Sequence, residues 1–269
     1  MQDSGVPTLE QALAKTEADA EATLKAAKSV TRCVSKFRAA AKVGSLRELR
    51  TSIDLADKAI ATLRQQFSNA KEGWNFDEER YLAGGLYSKE IIHVGQQMGV
   101  SIYERDERLY CYPVLIRVSS TDKAVSIDRK RDSRIRPSVL VARLKELQRK
   151  PPPFRSEAFL EALFKTYSKA VAMRAKGLPQ MSPVIQLLDI YELLTLLPGQ
   201  TREYTKQEFA RDIYLLHRSG IDTTRSGTRV RFPASTGTKT PSKIITVITE
   251  EGQERSYYGV SFTEGPKEQ

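Results

Sequence analysis

The segment from Thr8 to about Trp74 constrains the fold most, because it is rich in Ala, Lys, Glu, Leu and Arg and its apolar residues recur at near-helical spacing. Val43-Gly44-Ser45 interrupts this pattern, and Glu48 follows Ser45 at the spacing of a capping box. The sequence therefore predicts two long helices joined by a short turn, a helical hairpin with coiled-coil character. Alanine buries little surface, so we expect the hairpin to dock on another surface, either as an assembly arm or as a stabilising arm of the next domain.

Residues 75–150 form the predicted middle segment. A helix from Asp77 that is bent near Gly84-Gly85 precedes three strand-like runs, VSIYER, RLYCYPVLIRVS and KAVSID. A tight turn at Asp106-Glu107 joins the first two runs, and a helix from Ser138 to Lys150 closes the unit. Pro151-Pro152-Pro153 cannot continue that helix, so we interpret it as a linker.

Residues 155–269 are predicted to begin with three helices and to end with strands. Ser156 starts the first helix, and the third opens with a capping box from Thr205 to Glu208 and closes at Gly220. The strands TRVRF, KIITVITE and RSYYGVSF follow, the last two joined by Glu251-Gly252. The predicted class is α+β: a helical hairpin (1–74), a small α-β-β-β-α middle domain (75–150) and a C-terminal domain with a β-hairpin (155–269).

The composition favours an anionic partner. The chain has 269 residues with 43 Lys and Arg against 33 Asp and Glu, a formal net charge of +10. No apolar run approaches the roughly 20 residues that span a bilayer, and the polar N-terminus does not resemble a secretory signal. Cys33 and Cys111 lack metal-ligand spacing, and His93 and His217 are too few for a zinc site. We therefore expect a cytoplasmic protein with no membrane partner, no metal and no cofactor.

The stretch FPASTGTKTPSK, from Phe232 to Lys243, contains Gly-Thr-Lys-Thr, which resembles the end of a nucleotide-binding P-loop. A P-loop needs four residues between its first glycine and its Gly-Lys-Thr, and a helix after it. Here Thr238 separates Gly237 from Lys239, Pro241 follows at once and a strand comes next. Residues 201–243 instead carry nine Lys or Arg against four Asp or Glu, interleaved with Ser, Thr and Gly that can donate to phosphate oxygens. Arg229 and Arg231, two apart on a strand, share one face. This pattern favours contact with nucleic-acid phosphates.

From about Ser156 onward, the order of helices, strand, basic loop and strand resembles the winged-helix superfamily. The resemblance implies that Thr205–Ser219 enters a major groove and that the hairpin loop, the wing, contacts the backbone or minor groove. The connection LPGQTREY is longer than the family pattern, and IDTTRSG separates the third helix from its strand. The alternative is a core helix, and burial of Phe209, Ile213 and Leu216 is expected in both cases.

A second basic cluster, DRKRDSRIRP, runs from Asp128 to Pro137. Helix, three strands and helix is also the order of the PD-(D/E)xK nuclease core, and Asp128-Arg129-Lys130 resembles its D-x-K element. That resemblance implies that two acidic residues hold Mg²⁺ and that a lysine helps to activate water. The first acid is missing from RLYCYPVLIRVS, so the metal site is incomplete.

We therefore predict a non-catalytic, DNA-binding accessory or regulatory protein, a subunit of a larger bacterial-type DNA-processing or defence complex. DNA is favoured over RNA, and the N-terminal helices would bind a protein partner or a second copy. The alternatives are a divergent nuclease that uses Asp128 and Lys130, a transcriptional repressor, and a structural protein whose charge serves an acidic protein partner. The predicted nucleic-acid-binding residues are all basic: Lys206, Arg211, Arg218, Arg225, Arg229, Arg231, Lys239, Lys243, Arg129, Lys130, Arg131, Arg134 and Arg136.

Overall fold

The computed structural model describes residues 7–150, 154–174, 182–233 and 243–264. It mixes helix and sheet, which confirms the predicted α+β class with an N-terminal helical hairpin. The chain divides into two compact units, each built from separate segments. The first unit is Met1–Val94, Val118–Ser126 and Arg131–Ala142, and the second is Gly95–Arg117, Ile127–Lys130 and Arg143–Gln269. These boundaries differ from the predicted limits 1–74, 75–150 and 155–269, which stay predictions.

The hairpin consists of α1 (Leu9–Val43) and α2 (Leu46–Gly73). The Thr8 hydroxyl accepts from the Gln11 N–H and the Gln11 side chain accepts from the Thr8 N–H, so a capping box starts α1. Gly44, with φ 73°, ends α1 as predicted. The predicted capping box of Ser45 and Glu48 is wrong, because Ser45 makes no side-chain cap. Its N–H instead donates to the Ala40 carbonyl and closes α1.

The two hairpin helices bury mainly small side chains. The buried residues of α1 are Leu9, Ala26 and Ala40, and those of α2 are Ser52 and Ala56. Small residues allow close approach of two helices but remove little apolar surface from water.

The remaining helices of the first unit hold the start of α1. They are α3 (Glu78–Ala83), the first part of α4 (Leu86–Met98) and the first part of α5 (Pro137–Gln148). The break between α3 and α4 falls at Gly84-Gly85, as predicted. The Glu90 carboxylate accepts the N–H groups of Leu9 (3.1 Å) and Glu10 (3.0 Å) and the Tyr81 hydroxyl (2.8 Å). Negative charge at a helix N-terminus is stabilising, so Glu90 helps to fix α1.

Five short strands follow one another in chain order in one sheet. Asp106 and Glu107 both have positive φ in the tight turn between the first two, which confirms the predicted turn. The predicted run RLYCYPVLIRVS is two strands, because the chain turns at Tyr112-Pro113, where proline lacks the N–H that a ladder needs. The third run turns at Asp128-Arg129 into a further strand. The strands are β1 (Tyr103–Arg105), β2 (Arg108–Cys111), β3 (Val114–Ser119), β4 (Ala124–Ile127) and β5 (Lys130–Asp132).

The second unit has one large apolar core. Leu163, Phe209, Ile213 and Val260 are fully buried in it. Thr205 and Glu208 form the predicted capping box. The unit contains α6 (Ser156–Arg174), β6 (Ile185–Gln186), α7 (Leu187–Leu194), α8 (Gln200–Glu203), α9 (Lys206–Ser219), β7 (Thr228–Arg231), β8 (Ile245–Ile248), β9 (Glu254–Tyr257) and β10 (Gly259–Glu264).

The strands on either side of the basic loop belong to different sheets. β7 pairs with β10, which also pairs with β6, whereas β8 pairs with β9. The predicted hairpin across the loop, the wing, is therefore wrong for these strands. RSYYGVSF divides after Tyr257 into β9 and β10, and at Gly259 a Cβ atom would lie 2.9 Å from the Ile185 carbonyl oxygen, so the close approach of the two backbones requires glycine. The turn at Glu251-Gly252 joins β8 and β9 as predicted.

Candidate nucleic-acid interface

Among the predicted binding residues that the structure describes, Arg211 is the least accessible. Its side chain is 15% exposed, and its guanidinium contacts Asp128 Oδ1 (2.5 Å) and Asp212 Oδ1 (2.9 Å). Burial raises the pKa of Asp212 above its ordinary value, and the Arg211 charge and the Tyr204 hydroxyl oppose that shift only in part. Arg211 therefore serves an internal ion-pair cluster, and we remove it from the candidate phosphate contacts.

A turn with left-handed backbone carries Asp128 (φ 44°) and Arg129 (φ 70°). Asp128 Oδ1 also accepts the Leu115 N–H at 3.0 Å. Arg129 Nε lies 2.6 Å from Glu208 Oε1, and its guanidinium lies 5.7 Å from the centre of the Tyr204 ring. Burial by itself raises the pKa of Glu208, but the Thr205 N–H and Arg129 outweigh burial and hold that pKa below its ordinary value.

The D-x-K element of the nuclease alternative is part of this turn. The Asp128 carboxylate is engaged by Arg211 and by the Leu115 N–H, and Lys130 is exposed at the start of β5. Within the described ranges, no group of three or more His, Cys, Asp or Glu is placed to hold a metal ion. The nuclease alternative stays a prediction with no added observation in its favour.

The other arginines of the second basic cluster, in the first unit, contact acids. Arg131 lies 3.6 Å from Asp122, and Arg134 lies 3.0 Å from Asp132. Arg136 contacts Glu10 (2.7 Å) and Glu17 (2.6 Å). Their positive charge is therefore largely balanced locally.

Around β7 the predicted residues are more accessible. Arg229 and Arg231 are exposed on either side of buried Val230, which confirms their shared face, and Arg229 also contacts Asp222 at 2.9 Å. Arg218 pairs with Glu250 and lies 5.0 Å from the centre of the Tyr112 ring. Lys239 lies outside the described residues. The exposed side chains for which no ion pair is found in the described part of the chain are Lys206, Arg225, Arg231, Lys243 and Lys130.

A cationic surface on α1 was not predicted from the sequence. Lys25, Lys28, Arg32 and Lys36 follow one another at i, i+3, i+7 and i+11, so they lie along one helix face, which we call the α1 stripe. All four are exposed, and no salt bridge involves them among the described residues. From Leu24 to Val43 the chain has six Lys or Arg and no Asp or Glu. That charge pattern was the signal from which the stripe could have been found.

Comparison with protein-family models, with curated proteins and with solved structures found no match to this chain. No helix in the described ranges is long and apolar enough to cross a membrane. A functional assignment therefore depends on the charges and contacts of the chain itself.

Proposed function

We propose that this protein binds nucleic acid, with duplex DNA as the favoured partner, and that it acts without catalysis as an accessory or regulatory subunit of a larger DNA-processing or defence complex. The observation that carries this proposal is the α1 stripe. Its four cations are exposed and free of salt bridges within the described residues, whereas most arginines of the predicted clusters contact acids.

The spacing of the stripe suits a polyanion. Its four residues extend over about 16 Å of helix axis, since each residue rises about 1.5 Å. Like charges four residues apart destabilise a free helix by roughly 0.2–0.5 kcal/mol per pair. Duplex DNA carries one negative charge per about 1.7 Å of axis, so a helix lying along its backbone meets several phosphates and the repulsion is relieved. Such contacts fix position on the duplex without reading its sequence.

The exposed face of β7 supports a second contact. Arg229 and Arg231 point to the same side of an edge strand, and Arg225 lies in the turn that precedes it. This contact does not require the wing of the winged-helix resemblance, which is no longer needed for the proposal. A transcriptional repressor is the alternative within the same class, and a cytoplasmic location stays a prediction from the sequence.

The salt dependence of duplex DNA binding tests the proposal. A stripe variant replaces Lys25, Lys28, Arg32 and Lys36 by Gln. A control variant replaces Lys15, Lys58, Arg64 and Lys71 by Gln, which removes the same charge from exposed positions elsewhere on the hairpin. A third variant replaces Arg225, Arg229, Arg231 and Lys243 by Gln. Fluorescence anisotropy with a labelled duplex gives log Kd against log[salt] for each protein.

We expect the stripe variant to lower the salt slope by up to about 0.9 for each lost phosphate contact, and the control variant to change it little. A reduced slope in the β7 variant would add that face to the interface. Equal slopes in the stripe and control variants would contradict the role of the stripe. Absence of salt-dependent binding by the unmodified protein to duplex DNA would overturn the function and leave an acidic protein as the partner.

A further inference from the structure

Exposed large apolar side chains are concentrated on the hairpin. Eight of the thirteen found among the described residues lie on α1 and α2. Exposed apolar side chains that form a continuous area indicate an interaction surface. The eight are Leu24, Val34, Val43, Leu46, Ile53, Leu55, Ile60 and Phe67.

Four of these residues form a regular column on α2. Leu46, Ile53, Ile60 and Phe67 are each seven residues apart and are 71%, 45%, 36% and 61% exposed. A seven-residue apolar repeat keeps one seam facing a partner helix in coiled-coil packing. The column extends over about 32 Å of helix axis. The residues that α2 buries, including Ala56, lie on a different face.

A matching column of smaller residues lies on α1. Ala20, Ala27, Val34 and Ala41 also recur every seven residues. The two helices are antiparallel, and each column is rotated in the same sense from the face that contacts the other helix. Both columns therefore lie on one side of the hairpin, which we call the apolar flank. The opposite side carries mostly polar residues such as Glu48 and Thr62, with Leu55 as its exposed apolar residue on α2.

We propose that the apolar flank is the interface with a second copy of this chain, and that the two hairpins pack antiparallel as a four-helix bundle. A two-fold axis perpendicular to the helices produces this arrangement and places α2 of one copy on α2 of the other, so the two columns of large residues pack together. It also places α1 on α1, where the small residues allow close approach. The exposed apolar area of the flank is roughly 600 Å² per hairpin, so a pair buries about 1,200 Å², the lower limit of stable specific interfaces.

The charge distribution selects the antiparallel arrangement. The tip half of the hairpin, residues 24–65, carries ten Lys or Arg against three Asp or Glu. The base half, residues 9–23 and 66–73, carries two Lys or Arg against five Asp or Glu, and two of these acids, Glu10 and Glu17, also contact Arg136. Parallel packing would bring two strongly basic tips together, whereas antiparallel packing places each tip beside a base with an excess of acids. The α1 stripe faces away from α2, so it stays accessible in this dimer.

Sedimentation equilibrium of the full chain, freed of nucleic acid and held at high salt, tests the interface. Ile53→Glu is matched by Leu55→Glu, because the two residues are 45% and 47% exposed on the same helix but lie on opposite flanks. We expect a dimer for the unmodified chain and for Leu55→Glu, and at least a hundredfold weaker association for Ile53→Glu. Circular dichroism should show equal helix content in the three proteins.

The antiparallel orientation of the two hairpins is tested by a distance measurement. A spin label on Ser45→Cys in a Cys33→Ala background marks the tip of each hairpin, and antiparallel packing places the two labels about 40 Å apart at 1.5 Å rise per residue. A label separation under about 20 Å would overturn the antiparallel arrangement. A monomeric unmodified chain, or equal association of the two Glu variants, would overturn the second copy as the occupant. None of these experiments contains DNA, so their failure is distinguishable from failure of the proposed function.

Discussion

The hairpin and the second unit are both rich in helix, but they bury different residues. Helix α9 buries Phe209, Ile213 and Leu216 to 1% exposure or less. The hairpin buries small residues such as Ala26 and Ala56 and leaves larger ones in solvent. The second unit therefore has an apolar core of its own, whereas the hairpin helices depend on local helix formation and on whatever covers their apolar flank.

The same two regions also use their cations differently. In the second unit, Arg129 and Arg211 are held by carboxylates from residues distant in sequence. On the hairpin, the α1 stripe has no salt bridge among the described residues. The charges of Arg129 and Arg211 stabilise a turn, whereas the charges of the α1 stripe are available to an external anion. Net charge alone does not distinguish these two uses.

Removal of the internal cation should give the largest effect. Arg211→Met leaves Asp128 and Asp212 without their common partner, and breaking a buried ion pair on one side costs about 3–5 kcal/mol. The matched variant is Arg218→Met, because Arg218 pairs with Glu250 while both side chains are nearly half exposed. An exposed pair contributes roughly 0–1 kcal/mol. Urea unfolding of the two variants measures both values, and similar losses would contradict the internal role of Arg211.

The next largest effect is expected from truncating a leucine, which should destabilise the protein far more in the second unit than on the hairpin. Leu163 is fully buried in the core of the second unit, so Leu163→Ala should lower the free energy of unfolding by about 2–5 kcal/mol. Leu55 on α2 is 47% exposed, and Leu55→Ala should change that free energy by no more than about 0.5 kcal/mol. The two variants remove the same atoms. If thermal unfolding showed comparable losses of stability for the two variants, the face of α2 that carries Leu55 would be covered in solution.

Most local signals in the sequence predicted local structure, although the Ser45–Glu48 capping box did not form. Gly44 ended α1, the Thr205–Glu208 capping box opened α9, and Asp106-Glu107 formed a turn, since each signal acts within a few residues. Long-range pairing was not predictable in the same way. The pairing of β7 with β10 and the contact of Arg129 with Glu208, 79 residues away, depend on packing that no local periodicity encodes.

The candidate site shows the same division between local features, which were predictable, and long-range contacts, which were not. The shared face of Arg229 and Arg231 followed from strand geometry, whereas the burial of Arg211 depends on a turn from another part of the chain. The α1 stripe was readable from spacing and charge, because the chain before Val43-Gly44-Ser45 was already predicted as one helix.

The smallest expected effect is the pH dependence at His217. This side chain stacks on Phe232 with ring centres 5.5 Å apart, and its Nδ1 lies 3.2 Å from the Tyr257 hydroxyl. Burial, together with the nearby charge of Arg255, lowers the pKa of His217 from its ordinary value near 6.5. The unfolded chain therefore binds this proton more readily than the folded chain.

The sign of the His217 effect follows from that difference. Stability should be full above about pH 6.5 and should fall as the pH is lowered from there through the folded pKa. Thermal unfolding between about pH 7.5 and 5.5 avoids most carboxylate titration, whose ordinary pKa values lie near 4. We expect the unmodified protein to lose more stability over this range than His217→Asn, which cannot titrate but keeps a hydrogen-bonding group toward Tyr257. A gain in stability on acidification would mean that the folded state favours the charged imidazole. Burial of His217 against Phe232 would then not determine the direction of its pKa shift.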